Sequence, residues 1–147
     1  EPGWKLVDPT LSASDSIILQ GEIDPSLSVL LVLRGSRSTV ISSESFSHHE
    51  QIFERSLASI MRGSILDALS SNGMAVAAAT NDHEALRICN LCIASGAMAA
   101  GISGSGPSIA IVCFEEDSSS LSRIVSESGF ELIHTGLFVE DEISEVR

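Results

Sequence analysis

The run Ser28-Val29-Leu30-Leu31-Val32-Leu33 is apolar at successive rather than alternate positions. That pattern, apolar on both faces, predicts a central strand ending at Arg34-Gly35. Two shorter apolar runs precede it, at residues 4–7 and 16–20, separated by Asp8-Pro9. They read as edge strands or an extended lead-in segment. Further on, the apolar positions recur with a helical period. Ser47-x-x-Glu50 has capping-box spacing, and Phe53, Leu57, Ile60 and Met61 fall on one helical face behind it. Gly63-Ser64 interrupts that helix. Ile65, Leu66, Leu69, Met74 and Ala77 continue as a second apolar face, with Asn72-Gly73 as either its end or an internal glycine. Asn81-x-x-Glu84 opens a third helix, which carries Leu86, Cys89, Cys92 and Ile93 and stops at Gly96. A glycine-rich segment leads to a strand at residues 108–114. Asp117 or Ser118 then caps a short helix with Leu121, Ile124 and Val125, ending at Gly129. A last strand runs from residue 130 to about residue 139.

The order is strand, helices, strand, helix, strand, with weak strands ahead. It predicts an α+β fold close to a ferredoxin-like plait, a mainly antiparallel sheet with helices on one face. A length of 147 residues suits a single domain. We divide it into edge strands or irregular chain at 1–27, a core at 28–139 and an acidic tail at 140–147.

Charge narrows the partners. Twenty acidic residues against eight Lys and Arg give a formal net charge of −12. No broad basic surface for nucleic acid or an anionic membrane is compatible with that balance. No apolar run is long enough for a membrane span, and no basic segment leads into an apolar one as in a signal peptide. Cys89, Cys92 and Cys113 are odd in number, and two lie within a helical apolar pattern. They read as buried small hydrophobes in a reducing, cytoplasmic compartment rather than as a redox pair or half a zinc site.

The segment with most chemistry in it is Gly101-Ile102-Ser103-Gly104-Ser105-Gly106-Pro107-Ser108. Glycines allow backbone N–H groups to converge on one point, and such a nest binds an anion without a cationic side chain. The hydroxyls of Ser103, Ser105 and Ser108 can add donors. Two familiar phosphate motifs do not fit. The Walker A spacing of Gly101 and Gly106 has Pro107 where lysine is required, and a strand where a helix is required. A dinucleotide fingerprint from Gly104-x-Gly106 meets Ile109 in place of its third glycine. A plain tight connection between a helix and a strand stands beside the anion-nest reading.

Ala99-Ala100-Gly101-Ile102-Ser103-Gly104-Ser105-Gly106-Pro107-Ser108 resembles the third motif of the GHMP kinases, and within them most resembles the archaeal type of shikimate kinase. Ser71-Asn72-Gly73-Met74-Ala75 resembles a small-residue helix of the same family. The resemblance spans about residues 28–139 and implies the C-terminal domain of a two-domain enzyme. The family's principal phosphate loop, Pro-x-x-x-Gly-Leu-x-Ser-Ser, has no counterpart in the sequence. An N-terminal ATP-binding domain of the same chain, with its magnesium ligands, is therefore expected beyond these residues, an expectation that a start at Glu1 rather than Met fits.

The resemblance implies transfer of the ATP γ-phosphoryl group to a hydroxyl of shikimate, with residues 101–108 close to the phosphates. Homoserine kinase, another metabolite kinase of the family, or a non-catalytic ferredoxin-like ligand-binding module are the alternatives. Shikimate carries a carboxylate, which a bidentate arginine suits. Arg34 and Arg37 are placed for it by their position after the central strand, although solvated loop arginines are the more ordinary case. No residue of the sequence is assigned a catalytic or metal-binding role. His48-His49, His83, His134 and the acidic run Glu115-Glu116-Asp117 read as structural.

Overall fold

The computed structural model describes residues 3–12, 15–36 and 40–137. Strand β1 (Gly3–Val7) pairs antiparallel with β2 (Ile17–Glu22) as a separate two-stranded sheet. The main sheet comprises β3 (Leu27–Leu33), β4 (Ala99–Ile102), β5 (Ile109–Phe114) and β6 (Glu131–Gly136) in the order β4-β5-β3-β6, every pair antiparallel. Helices α1 (Ser43–Ser47), α2 (Glu50–Met61), α3 (Ile65–Ala79) and α4 (His83–Ala94) connect β3 to β4, and α5 (Glu115–Glu127) connects β5 to β6. This is the strand order of a ferredoxin-like plait, as expected.

The apolar run places β3 in the interior of the sheet, where β5 and β6 occupy both its edges. Side chains alternate across the pleat. Leu30 and Val32, with Ile109, Ile111 and Cys113, point to the helical face and are buried there. Val76 and Ala77 of α3, Ile88, Cys89 and Cys92 of α4, and Leu121 and Val125 of α5 complete that core. Each such large aliphatic side chain contributes about 1.5–3 kcal/mol by leaving water, so this face dominates the stability. On the opposite face Leu27, Ala99 and Val112 form a smaller cluster that Leu66 and Leu69 cover, while Leu33 and Ile133 are exposed.

Three glycines end helices where expected. Gly63, Gly96 and Gly129 all have left-handed backbone, with φ of 79°, 107° and 89°. Gly73 lies inside α3 rather than at its end, buried where the helix meets β4.

Four boundaries differ from expectation. Ser42 caps α1 by accepting from the Ser45 N–H, and the Ser47 hydroxyl donates back to the Ser43 carbonyl, so Ser47 and Glu50 make no capping box. Asn81 adopts a left-handed φ of 55°, which shifts the cap of α4 one residue on, to Asp82. Helix α5 begins at Glu115, directly after β5, not at a cap on Asp117 or Ser118. Residues 99–102 form strand β4, so the glycine segment joins two strands of a hairpin rather than a helix to a strand. Arg37 and the acidic tail at 140–147 lie outside the described residues.

Candidate functional site

Gly101 belongs to β4, and its role there is spatial. A Cβ on Gly101 would lie 2.7 Å from the Leu69 carbonyl oxygen and 2.9 Å from Gly73 Cα. A Cβ on Gly73 would lie 2.3 Å from Gly101 Cα. The two glycines thus let α3 press backbone to backbone against β4. The Ala100 N–H donates to Ser70 Oγ at 3.1 Å, so the helix also supplies a partner along this edge of the sheet.

This contact fixes where β4 ends and the loop begins. Residues 103–108 form a tight connection. The Ser103 N–H donates to the Ser108 carbonyl at 2.9 Å, and the Gly106 N–H donates to the Ser103 carbonyl at 3.0 Å. Gly104 and Gly106 are left-handed, with φ of 59° and 81°, and the Gly106-Pro107 peptide bond is cis. No atom lies within 4 Å of the place a Gly104 Cβ would take, so the backbone there is open to an incoming group. Ser103, Gly104 and Ser105 are exposed, while Gly106, Pro107 and Ser108 are half-buried.

Beside the loop is a cavity of about 460 Å³. Ser105, Gly106 and Pro107 form one wall, Thr80 to Glu84 at the α3–α4 junction form another, and Arg34 and Ser36 close it from the end of β3. The structure therefore brings Arg34 to the glycine segment, although they are far apart in sequence.

Arg34 does not face this space as a free cation. Its Nη1 donates to Asp82 Oδ2 at 2.7 Å and to the Pro107 carbonyl at 2.9 Å. Its Nη2 donates to Asp82 Oδ1 at 2.7 Å and to Glu84 Oε2 at 2.9 Å. The Asp82 pairing is the bidentate geometry that only arginine provides. The arginine side chain is 7% exposed, and its Nε is buried with no hydrogen-bond partner. The Asp82 hydrogen bonds hold the Arg34 guanidinium above its usual pKa range, and the same bonds hold the Asp82 carboxyl below its own. Asp82 Oδ1 also accepts the Ala85 N–H as the cap of α4.

Asp82, Glu84 and the Pro107 carbonyl were not singled out from the sequence. Asn81-x-x-Glu84 signalled a helix start there, but the pairing with Arg34 spans 48 residues and has no local signature.

The cysteines are chemically quiet. Burial pushes the Cys89 thiol up to about 12 and the Cys92 thiol up to about 11, and Cys113 is also raised by burial. Among the described residues there is no group of three or more His, Cys, Asp or Glu that could hold a metal ion, and no helix long and apolar enough to cross a membrane.

The family model described as GHMP kinases C terminal matches residues 55–129, the stretch that runs from within α2 through α5 and contains the glycine segment. The chain belongs to this family. Solved structures agree with the fold of the GHMP domain. Mevalonate pyrophosphate decarboxylase from Streptococcus pyogenes superposes with a TM-score of 0.55 at 14% identity, covering 88% of this chain and 50% of that one. Mevalonate kinase from Staphylococcus aureus gives 0.55 at 14% identity, with 79% and 43% covered. A protein assigned as homoserine kinase from Listeria monocytogenes gives 0.50 at 15% identity, with 88% and 47% covered. The chain thus spans about half the length of these proteins. Among curated proteins none matches it in sequence. In this GHMP domain the glycine segment of the chain is divided between a strand residue, Gly101, that packs against α3 and a loop, residues 103–108, three of whose residues line the cavity.

Proposed function

We propose that this chain forms the C-terminal half of an ATP-dependent small-molecule kinase and that its acceptor is shikimate. The observation that carries the kinase reading is Gly104: a left-handed residue on an exposed loop, with open space where a side chain would stand. A phosphate oxygen can approach such a backbone closely. Phosphoryl transfer asks the protein mainly for positioning and for stabilisation of charge on the transferring group. Residues 103–108 suit the first task through the exposed Gly104 backbone, to which the hydroxyls of Ser103, Ser105 and Ser108 would add donors. Magnesium, when bound with ATP, neutralises phosphate charge. We assign its ligands and the principal phosphate loop to the remainder of a longer protein.

The choice of shikimate rests on the form Gly101-Ile102-Ser103-Gly104-x-Gly106-Pro107. Its carboxylate needs a cation. The four terminal N–H groups of Arg34 are engaged by Asp82, Glu84 and Pro107, which leaves Arg37 as the candidate for that pairing. The deciding assay supplies the full-length protein with ATP and magnesium, and with shikimate, homoserine or mevalonate in turn. Phosphorylation of shikimate supports the whole reading. Transfer to homoserine or mevalonate replaces the acceptor and keeps the kinase. No transfer to any of the three removes the reading.

A further inference from the structure

Arg34 leaves the end of β3, Asp82 caps α4, and Pro107 closes the glycine loop. One guanidinium touches all of them, over sequence separations of 48 and 73 residues. A guanidinium is planar, so its terminal N–H groups diverge in fixed directions and fix the mutual placement of the groups that accept them. The bond to the Pro107 carbonyl reaches the same loop that carries Gly104, and the bonds to Asp82 anchor the other end to the start of a helix. Burial matters as well. With 7% of the Arg34 side chain exposed, water competes poorly for these bonds.

We propose that Arg34 is a positioning residue, which holds residues 103–108 at a set distance from the α4 N-terminus through Pro107 and Asp82, and that it does not bind the acceptor's carboxylate. This rests on the kinase reading for its consequence in turnover, but the tie itself can be measured without any reaction. Lysine in place of Arg34 keeps the charge and loses the divergent donors. A displacement of the loop by about 1 Å costs on the order of 100-fold in rate. Asp82→Asn probes the same tie from the opposite side. It keeps a side chain able to cap α4 while removing the charge that orients the guanidinium.

The experiment uses the full-length protein with Arg34→Lys and Asp82→Asn. Hydrogen exchange is followed on peptides covering residues 103–108 and, as a measure of the rest of the fold, on β5 and α3. Both variants are expected to exchange at least about tenfold faster in the loop, while β5 and α3, which exchange through global unfolding, speed up only as far as each variant's lowered stability requires. Where the wild type phosphorylates an acceptor, both should lower kcat about 10- to 100-fold with the acceptor KM within about threefold. A carboxylate-binding Arg34 predicts the opposite for Asp82→Asn, because release of the guanidinium would lower the acceptor KM. Loop exchange unchanged in both variants, or a KM effect with kcat preserved, overturns the proposal. A wild type that phosphorylates nothing tells against the kinase reading alone, since the exchange measurement still decides the tie.

Discussion

Replacement of Gly73 by alanine sets two local rules against each other. Gly73 lies in the interior of α3, where alanine is favoured over glycine by about 0.8–1.0 kcal/mol on propensity alone. The same Cβ would stand 2.3 Å from Gly101 Cα, 2.5 Å from Ile102 N and 2.7 Å from the Gly101 carbonyl carbon. Carbon atoms in contact prefer about 3.5–4.0 Å, and all three neighbours are backbone, which cannot rotate away. Relief therefore requires α3 and β4 to part by roughly 1 Å or more, which would also stretch the 3.1 Å bond from Ala100 N–H to Ser70 Oγ. Overpacking of this kind costs about 1–3 kcal/mol, and the stretched hydrogen bond about 1 more. The clash outweighs the propensity gain, so Gly73→Ala is expected to be destabilised by about 1–3 kcal/mol. In thermal unfolding that is a fall in Tm of roughly 3–10 °C. Asn72→Ala, exposed on the same helix, controls for propensity and should change stability by no more than about 0.5 kcal/mol. Gly101→Ala, with its Cβ 2.7 Å from the Leu69 carbonyl oxygen, should be destabilised like Gly73→Ala. A Gly73→Ala protein as stable as the wild type, or more so, would refute the close approach of α3 and β4.

Gly104→Val places a β-branched residue at φ 59° with no steric neighbour, so it should cost only roughly 1–2 kcal/mol in stability while turnover of the full-length protein falls at least about 100-fold. Near-normal turnover would remove the loop from the reaction. The native chain should leave Cys89, Cys92 and Cys113 unmodified by a thiol reagent at pH 8 and expose all three on unfolding, since burial has raised each thiol; rapid modification of the native state would contradict that burial. Asp82 has a folded pKa below its ordinary 3.8, so its stabilisation is present above about pH 4 and is lost as pH falls through the lowered value. Asp82→Asn should therefore be about 1–3 kcal/mol less stable than wild type at pH 7, with the gap closing in acid; a gap independent of pH would mean that the ion pair is not its source.

How much of this was legible depended on how local the cause was. The position of β3 was readable because Val29 to Leu33 are apolar without a break, although only their helical face is fully buried and Leu33 on the other face is exposed. The helix ends at Gly63, Gly96 and Gly129 were readable because a left-handed residue has few alternatives to glycine. Caps were less secure where several serines or an Asn-Asp pair compete: Ser42 takes the role assigned to Ser47, and Asp82 the role assigned to Asn81. Strand β4 was missed for a different reason. Ala99-Ala100-Gly101 lacks the branched side chains that mark strands, because small residues are what the approach of α3 demands. The tie from Arg34 to Asp82 and Pro107 was beyond any local pattern, since only the fold brings these segments together.

The charge balance at the cavity bears on how the proposed kinase would work. Arg34 is met by two carboxylates, Asp82 and Glu84, so the cluster as a whole is acidic even with its one buried cation. In a chain of net charge −12, that leaves the cavity without a cationic excess to attract triphosphate. A phosphate at residues 103–108 would be held by backbone dipoles and hydroxyls, which act at short range and only in the right geometry. Attraction must then come from cations supplied elsewhere, and what this half contributes is placement. Under the proposed division, a buried arginine held by a proline carbonyl and an aspartate serves placement rather than substrate binding. Where binding depends on a few short-range donors, the position of the loop matters more than added charge, and position is what the Arg34 tie supplies.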